Sequence, residues 1–121
     1  MLLPGDLALS AFEDDLSSEW LSCLGGRPRS FRIMSAFHTV LTRAAERHAA
    51  DFVLVDVGPT LGAINRAALV ASDHVVIPVA PDLFSLQGLR NLGPTLRNWR
   101  GGWQDRLAKA PPSVDGLPPA V

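Results

Sequence analysis

Two short apolar runs with a helical pattern between them constrain this chain more than any other feature. Phe52-Val53-Leu54-Val55-Asp56-Val57 and Val75-Val76-Ile77-Pro78-Val79 are nearly continuous in large aliphatic residues. Without polar alternation, such runs read as strands buried on both faces of a parallel sheet. Gly58-Pro59 stops the first run and Ala80-Pro81-Asp82 closes the second. Between them Leu61, Ile64, Ala68, Leu69 and Val70 fit a helix over ~61–72. Strand, helix and strand within about thirty residues predict a right-handed parallel crossover. The expected fold class is therefore α/β.

Helical patterns fill most of the rest. Leu9, Phe12, Leu16, Trp20 and Leu24 predict a helix over ~9–24, with Ser10 as cap and Glu13 completing a capping box. Gly25-Gly26-Arg27-Pro28 ends it. Ile33, Phe37, Val40, Leu41 and Ala44 predict one helix over ~30–49, capped by Ser30. A third stretch covers ~84–100, with Gly93-Pro94 expected to kink or split it and Gly101-Gly102 to break it. The opening Met1-Leu2-Leu3 before Pro4-Gly5-Asp6 reads as the end of a strand. Residues 1–110 are expected to form one partial domain, and the Pro-rich residues 111–121 a flexible tail.

Composition narrows the function classes. The chain has 121 residues, 11 basic and 12 acidic, for a formal net charge of −1. That balance excludes a strongly basic nucleic-acid coat and an acidic disordered tail. The single cysteine, Cys23, excludes an internal disulfide framework. His38, His48 and His74 have no metal-ligand spacing with it. No apolar run approaches the ~20 residues of a membrane-spanning helix, and the first residues lack a signal-peptide layout. The expected location is cytoplasmic. Lys109 is the one lysine, so any chemistry that needs a lysine must use it.

Chemistry concentrates at the end of the first apolar run, in Asp56-Val57-Gly58-Pro59-Thr60-Leu61-Gly62. Ligand sites in open α/β sheets lie at the carboxyl ends of strands. An aspartate there can hold a hydrated Mg²⁺ or orient a water, and equally can be a helix cap or a solvated turn residue. Gly58 and Gly62 would let backbone N–H groups approach a phosphate at the start of the next helix.

These residues resemble the second nucleotide-site motif of the ParA/MinD/Soj group of deviant Walker-A ATPases. That motif is an apolar strand, Asp, two residues, Pro, two residues, Gly; Asp56, Pro59 and Gly62 match it. Asn65 to Val79 is similar to the family's next helix and strand, and Pro81-Asp82-Leu83-Phe84-Ser85-Leu86-Gln87-Gly88-Leu89 to the loop and helix start that follow. The resemblance is specific over 51–89 and weaker over the rest of 3–103. It implies a P-loop NTPase-like parallel sheet flanked by helices, and an ATP-dependent dimerising switch that partitions chromosomes, plasmids or other cargo. In that setting Asp56 is the acid near Mg²⁺ and the attacking water, with Gly58, Pro59 and Gly62 beside the phosphates. Partners implied are a second ParA-like subunit, a DNA-binding partner protein and nonspecific DNA.

The departures bear on activity. The family's phosphate loop, Lys-Gly-Gly-x-Gly-Lys-Thr/Ser, has no counterpart: Gly25-Gly26 runs into Arg27-Pro28, and Lys109 has no glycine neighbour. The chain therefore reads as the middle of such a protein, incomplete at both ends. One carboxylate repels a polyanionic nucleotide rather than holding it, so the chain alone is expected neither to bind nor to hydrolyse ATP.

Two other classes remain open. In a phospho-receiver, Asp56 would be the acceptor, Asp14-Asp15 the Mg²⁺ ligands and Lys109, with Pro111, the receiver lysine, but Asp14-Asp15 lies in a helical pattern and Lys109 follows no apolar strand. In a non-catalytic interaction module, Trp99, Arg100 and Trp103 suit an interface, the alternative being that both tryptophans pack internally. Arg90, Arg97, Arg100 and Arg106 either touch DNA phosphates or form a solvated helix face. The cut edges of a partial sheet are expected to expose apolar surface and to favour self-association.

Overall fold

The computed structural model describes residue 2 and residues 4–119. Asp6 begins the ordered helices: its Oδ1 accepts the Ala8 N–H at 2.7 Å and caps a 3-10 turn, Leu7–Ala11. The turn passes directly into α1, Phe12–Ser22. A second 3-10 turn, Cys23–Gly25, ends at Gly26, whose φ of 67° is the left-handed conformation that glycine adopts without a Cβ clash. Pro28 then starts α2, Pro28–Met34, at the first helical position, where its missing N–H costs nothing. The chain breaks at Ser35 and resumes as α3, Ala36–His48. The single helix expected over ~30–49 is thus two, and Ser30 caps neither: it is buried and donates to Glu19.

After α3 come α4, Ala63–Val70, and α5, Leu83–Leu107. Asp82 caps α5 by accepting the Ser85 N–H at 2.7 Å. The helix runs through Pro94 and through Gly101-Gly102, which the sequence pattern marked as breaks. A Cβ on Gly102 would lie 3.1 Å from the Trp20 ring, so glycine there lets α1 and α5 approach closely.

The core lies where α1, α2, α4 and the end of α5 meet. Leu16, Cys23, Phe31, Met34, Ala63, Ala67 and Trp103 form it. Trp103 stacks on Trp20, with centroids 6.3 Å apart, and is tilted against Phe31 at 6.2 Å. Its indole N–H donates to the Pro118 carbonyl at 2.9 Å, and Val114 and Leu117 pack against the same core.

The expected parallel sheet flanked by helices is absent: among the described residues there is no strand. Segments 52–57 and 74–79 run without turn or bend, yet they exchange no backbone hydrogen bond with each other or with any described residue. The suggested opening strand has no ladder at residues 2 and 4–6, and Met1 and Leu3 lie outside the described residues. The physical reason is partnership. A strand is completed only by a neighbour about 4.8 Å away, and two strands alone are marginal. The residues expected to be buried are bare instead: Phe52 is 87% exposed, Leu54 95% and Val76 88%.

Candidate functional site

The loop from Asp56 to α4 is organised from inside by Asn65, which is buried. Its side-chain amide donates to the carbonyls of Gly58 at 2.7 Å and Thr60 at 2.5 Å. One side chain in the first turn of α4 thereby holds both halves of the loop. Asp56, Gly58 and Pro59 are exposed, while Gly62 is half-buried and stands as the residue before α4. Gly58 and Gly62 share this pinned loop. Asp56 stands at its rim and makes no ion pair with a described residue.

The start of α4 is occupied. The Glu13 carboxylate, from the first turn of α1, accepts the backbone N–H groups of Ala63 and of Ile64, the latter at 2.9 Å. Helix N-termini favour anions because their first N–H groups have no intrahelical partner and the dipole is positive there. Here a carboxylate of the chain itself takes that position. Gly62 makes room for it: a Cβ would stand 2.7 Å from Glu13 Oε1. Sequence reading placed Glu13 in a capping box with Ser10, but the Ser10 hydroxyl donates to the Leu7 carbonyl and Glu13 reaches fifty residues along the chain. No local signal marks such a contact.

Behind α4 sits a cationic cluster. Two guanidiniums lie over the Trp20 ring, Arg66 at 4.4 Å and Arg106 at 3.8 Å from its centroid. Arg106 is buried and donates from Nε to the Trp20 carbonyl at 2.6 Å and from Nη1 to the Gly102 carbonyl at 2.7 Å. Arg66 donates to the Leu16 carbonyl, and its Nε is buried without a partner among the described residues. Burial, and then the charge of Arg106, hold the Arg66 pKa below the ordinary arginine range, against the opposing pull of Glu13. Arg106 is lowered mainly by burial. Cys23 is buried, and its thiol is pushed up to about 11, chiefly by desolvation, with Arg106 opposing and Glu19 adding.

The other residues singled out from sequence lie apart from this loop. Arg90, Arg97 and Arg100 are exposed on α5, whereas Trp103 and Arg106 belong to the core region. Asp14 and Asp15 are exposed on α1, and Lys109 is exposed just beyond α5. Among the described residues no three His, Cys, Asp or Glu side chains converge as a metal site, and no helix is long and apolar enough to cross a membrane.

A family described as an AAA domain matches residues 1–109. The chromosome partitioning protein ParA of Caulobacter vibrioides is 30% identical over 106 residues, covering 88% of this chain and 36% of that protein. The chromosome-partitioning ATPase Soj of Thermus thermophilus is 36% identical over 69 residues, covering 57% of this chain and 28% of that protein. The sporulation initiation inhibitor protein Soj of Bacillus subtilis is 45% identical over 47 residues, covering 39% of this chain and 19% of that protein. The chain thus spans roughly a third or less of the length of these relatives. No solved structure matches at a significant level.

Proposed function

This chain belongs to the AAA domain family that takes in the ParA and Soj partitioning proteins, and on that premise we propose that it serves chromosome, plasmid or cargo partitioning without itself binding or hydrolysing ATP. The observation that carries the second half of this reading is the position of Glu13. A phosphate seeking the N–H groups of Ala63 and Ile64 meets a carboxylate already bonded to them. The remaining donor set does not fit Mg-ATP either. Asp56 is a single exposed carboxylate, and the sequence contains no lysine-bearing glycine loop to neutralise the phosphates.

Gly58, Pro59 and Gly62 keep, in this reading, the loop shape of a nucleotide site without its charge. DNA, a DNA-binding partner protein and a second ParA-like subunit are the partners that the family reading brings with it. The test is calorimetric titration with Mg-ATP alongside a phosphate-release assay. The expected result is neither saturable heat nor turnover; micromolar affinity or release above background would overturn it.

A second reading, a non-catalytic interaction module, is favoured by the bare apolar side chains of Phe52, Leu54 and Val76. Both readings agree on an inactive chain and differ on whether a protein partner is the primary ligand.

A further inference from the structure

Residues 51–57 and residues 71–76 line one groove of about 630 Å³, with Leu41 and Ala45 of α3 also facing it. Segments 52–57 and 74–79 contribute rows of backbone N–H and C=O groups with no partner among the described residues. Open rows of this kind are templates for main-chain pairing, and an extended peptide exploits them by adding its own backbone. Phe52, Leu54, Val75 and Val76 add exposed apolar surface alongside.

The charge of the groove identifies what it accepts. Glu46, Asp51, Asp56 and Asp73 line it together with His38 and His74, and no lysine or arginine does, although the chain carries ten arginines. We propose that this groove docks an extended apolar segment of another polypeptide that carries basic residues at its ends. The apolar centre covers Phe52, Leu54 and Val76, its backbone meets the open N–H and C=O rows, and its terminal cations meet the carboxylates. A second copy of this chain is disfavoured as occupant. Its own residues 51–57 would bring Asp51 and Asp56 against the same four carboxylates, and like charges across a contact are repulsive. The inference is independent of whether the chain binds nucleotide.

The test uses the full chain and synthetic probes. The first is a short valine/isoleucine peptide with arginine at both ends. The second replaces those arginines with glutamate. The third keeps the arginines but carries an N-methyl group on every amide of the apolar run, so that neither strand edge can donate. Affinity is read by calorimetry at low and high salt. The arginine-ended peptide is expected to bind at least about tenfold more tightly than the glutamate-ended one, with the preference shrinking in salt. The N-methylated peptide is expected not to bind, because its backbone cannot pair. In the double variant Asp51→Arg/Asp56→Arg, both exposed positions, two arginines offset Glu46 and Asp73 and the preference should disappear. The proposal is overturned by equal binding of the two charged probes, by undiminished binding of the N-methylated probe, or by no binding at all. It is likewise overturned if light scattering finds a dimer that the arginine-ended peptide does not compete with for the groove but that masks it, binding appearing only on dilution to the monomer.

Discussion

Glu13 on α1 closes the N-terminus of α4, its Oε2 accepting the Ile64 N–H at 2.9 Å while its other oxygen takes the N–H of Ala63. One side chain thereby fastens two helices and fills an anion-binding position. Replacing it with alanine leaves two half-buried N–H groups without that acceptor. Glu13→Ala is expected to cost about 1–2 kcal/mol, read as a lower urea midpoint at unchanged slope.

Gly62 is coupled to that contact. Its φ of −75° suits any residue, so the obstacle to a side chain is steric: Glu13 Oε1 lies 2.7 Å from where a Cβ would stand. Gly62→Ala should therefore destabilise the wild-type chain by about 1 kcal/mol through loss of the cap. In a Glu13→Ala background the same change should cost almost nothing. A double-mutant cycle by urea denaturation measures this coupling; additive effects would refute it.

Arg106 holds the α1–α5 contact. It stacks on Trp20 at 3.8 Å and donates to the Trp20 and Gly102 carbonyls. Lysine keeps the charge but not the planar fork or the stacking face. Arg106→Lys is expected to lose about 1–3 kcal/mol, seen as a lower thermal midpoint and altered tryptophan fluorescence.

Cys23 gives the stability an alkaline limb. Its folded pKa of about 11 lies above the ordinary value of 9.0, so the folded state holds its proton more tightly than the unfolded chain. The associated stability is complete below pH 9 and is lost as pH rises towards 11. Denaturation midpoints should fall across that window and fall less in Cys23→Ala. Thiol alkylation at pH 8 should be slow in the folded chain and fast in urea.

Much of the helical content was legible in the sequence, because apolar spacing of three and four residues marks amphipathic helices directly. The pattern missed the break at Ser35, where the apolar stripe continues across two helices. It also placed a break at Gly101-Gly102, where close approach to Trp20 explains a glycine inside a helix. The expected sheet is absent among the described residues for a different reason. Residues 52–57 and 75–79 have the composition of buried strands, but composition cannot supply the neighbour whose backbone completes a ladder. The motif Asp56, Pro59 and Gly62 was legible because it is local. Glu13 and Asn65, which shape that loop, act through contacts that no short pattern records.

The proposed exclusion of Mg-ATP rests on Glu13 filling the start of α4. The most direct measurement follows the backbone amide resonances of Ala63 and Ile64 during a Mg-ATP titration into the ~millimolar range. The account predicts that both resonances stay where they are. Saturable shifts at micromolar nucleotide would contradict it.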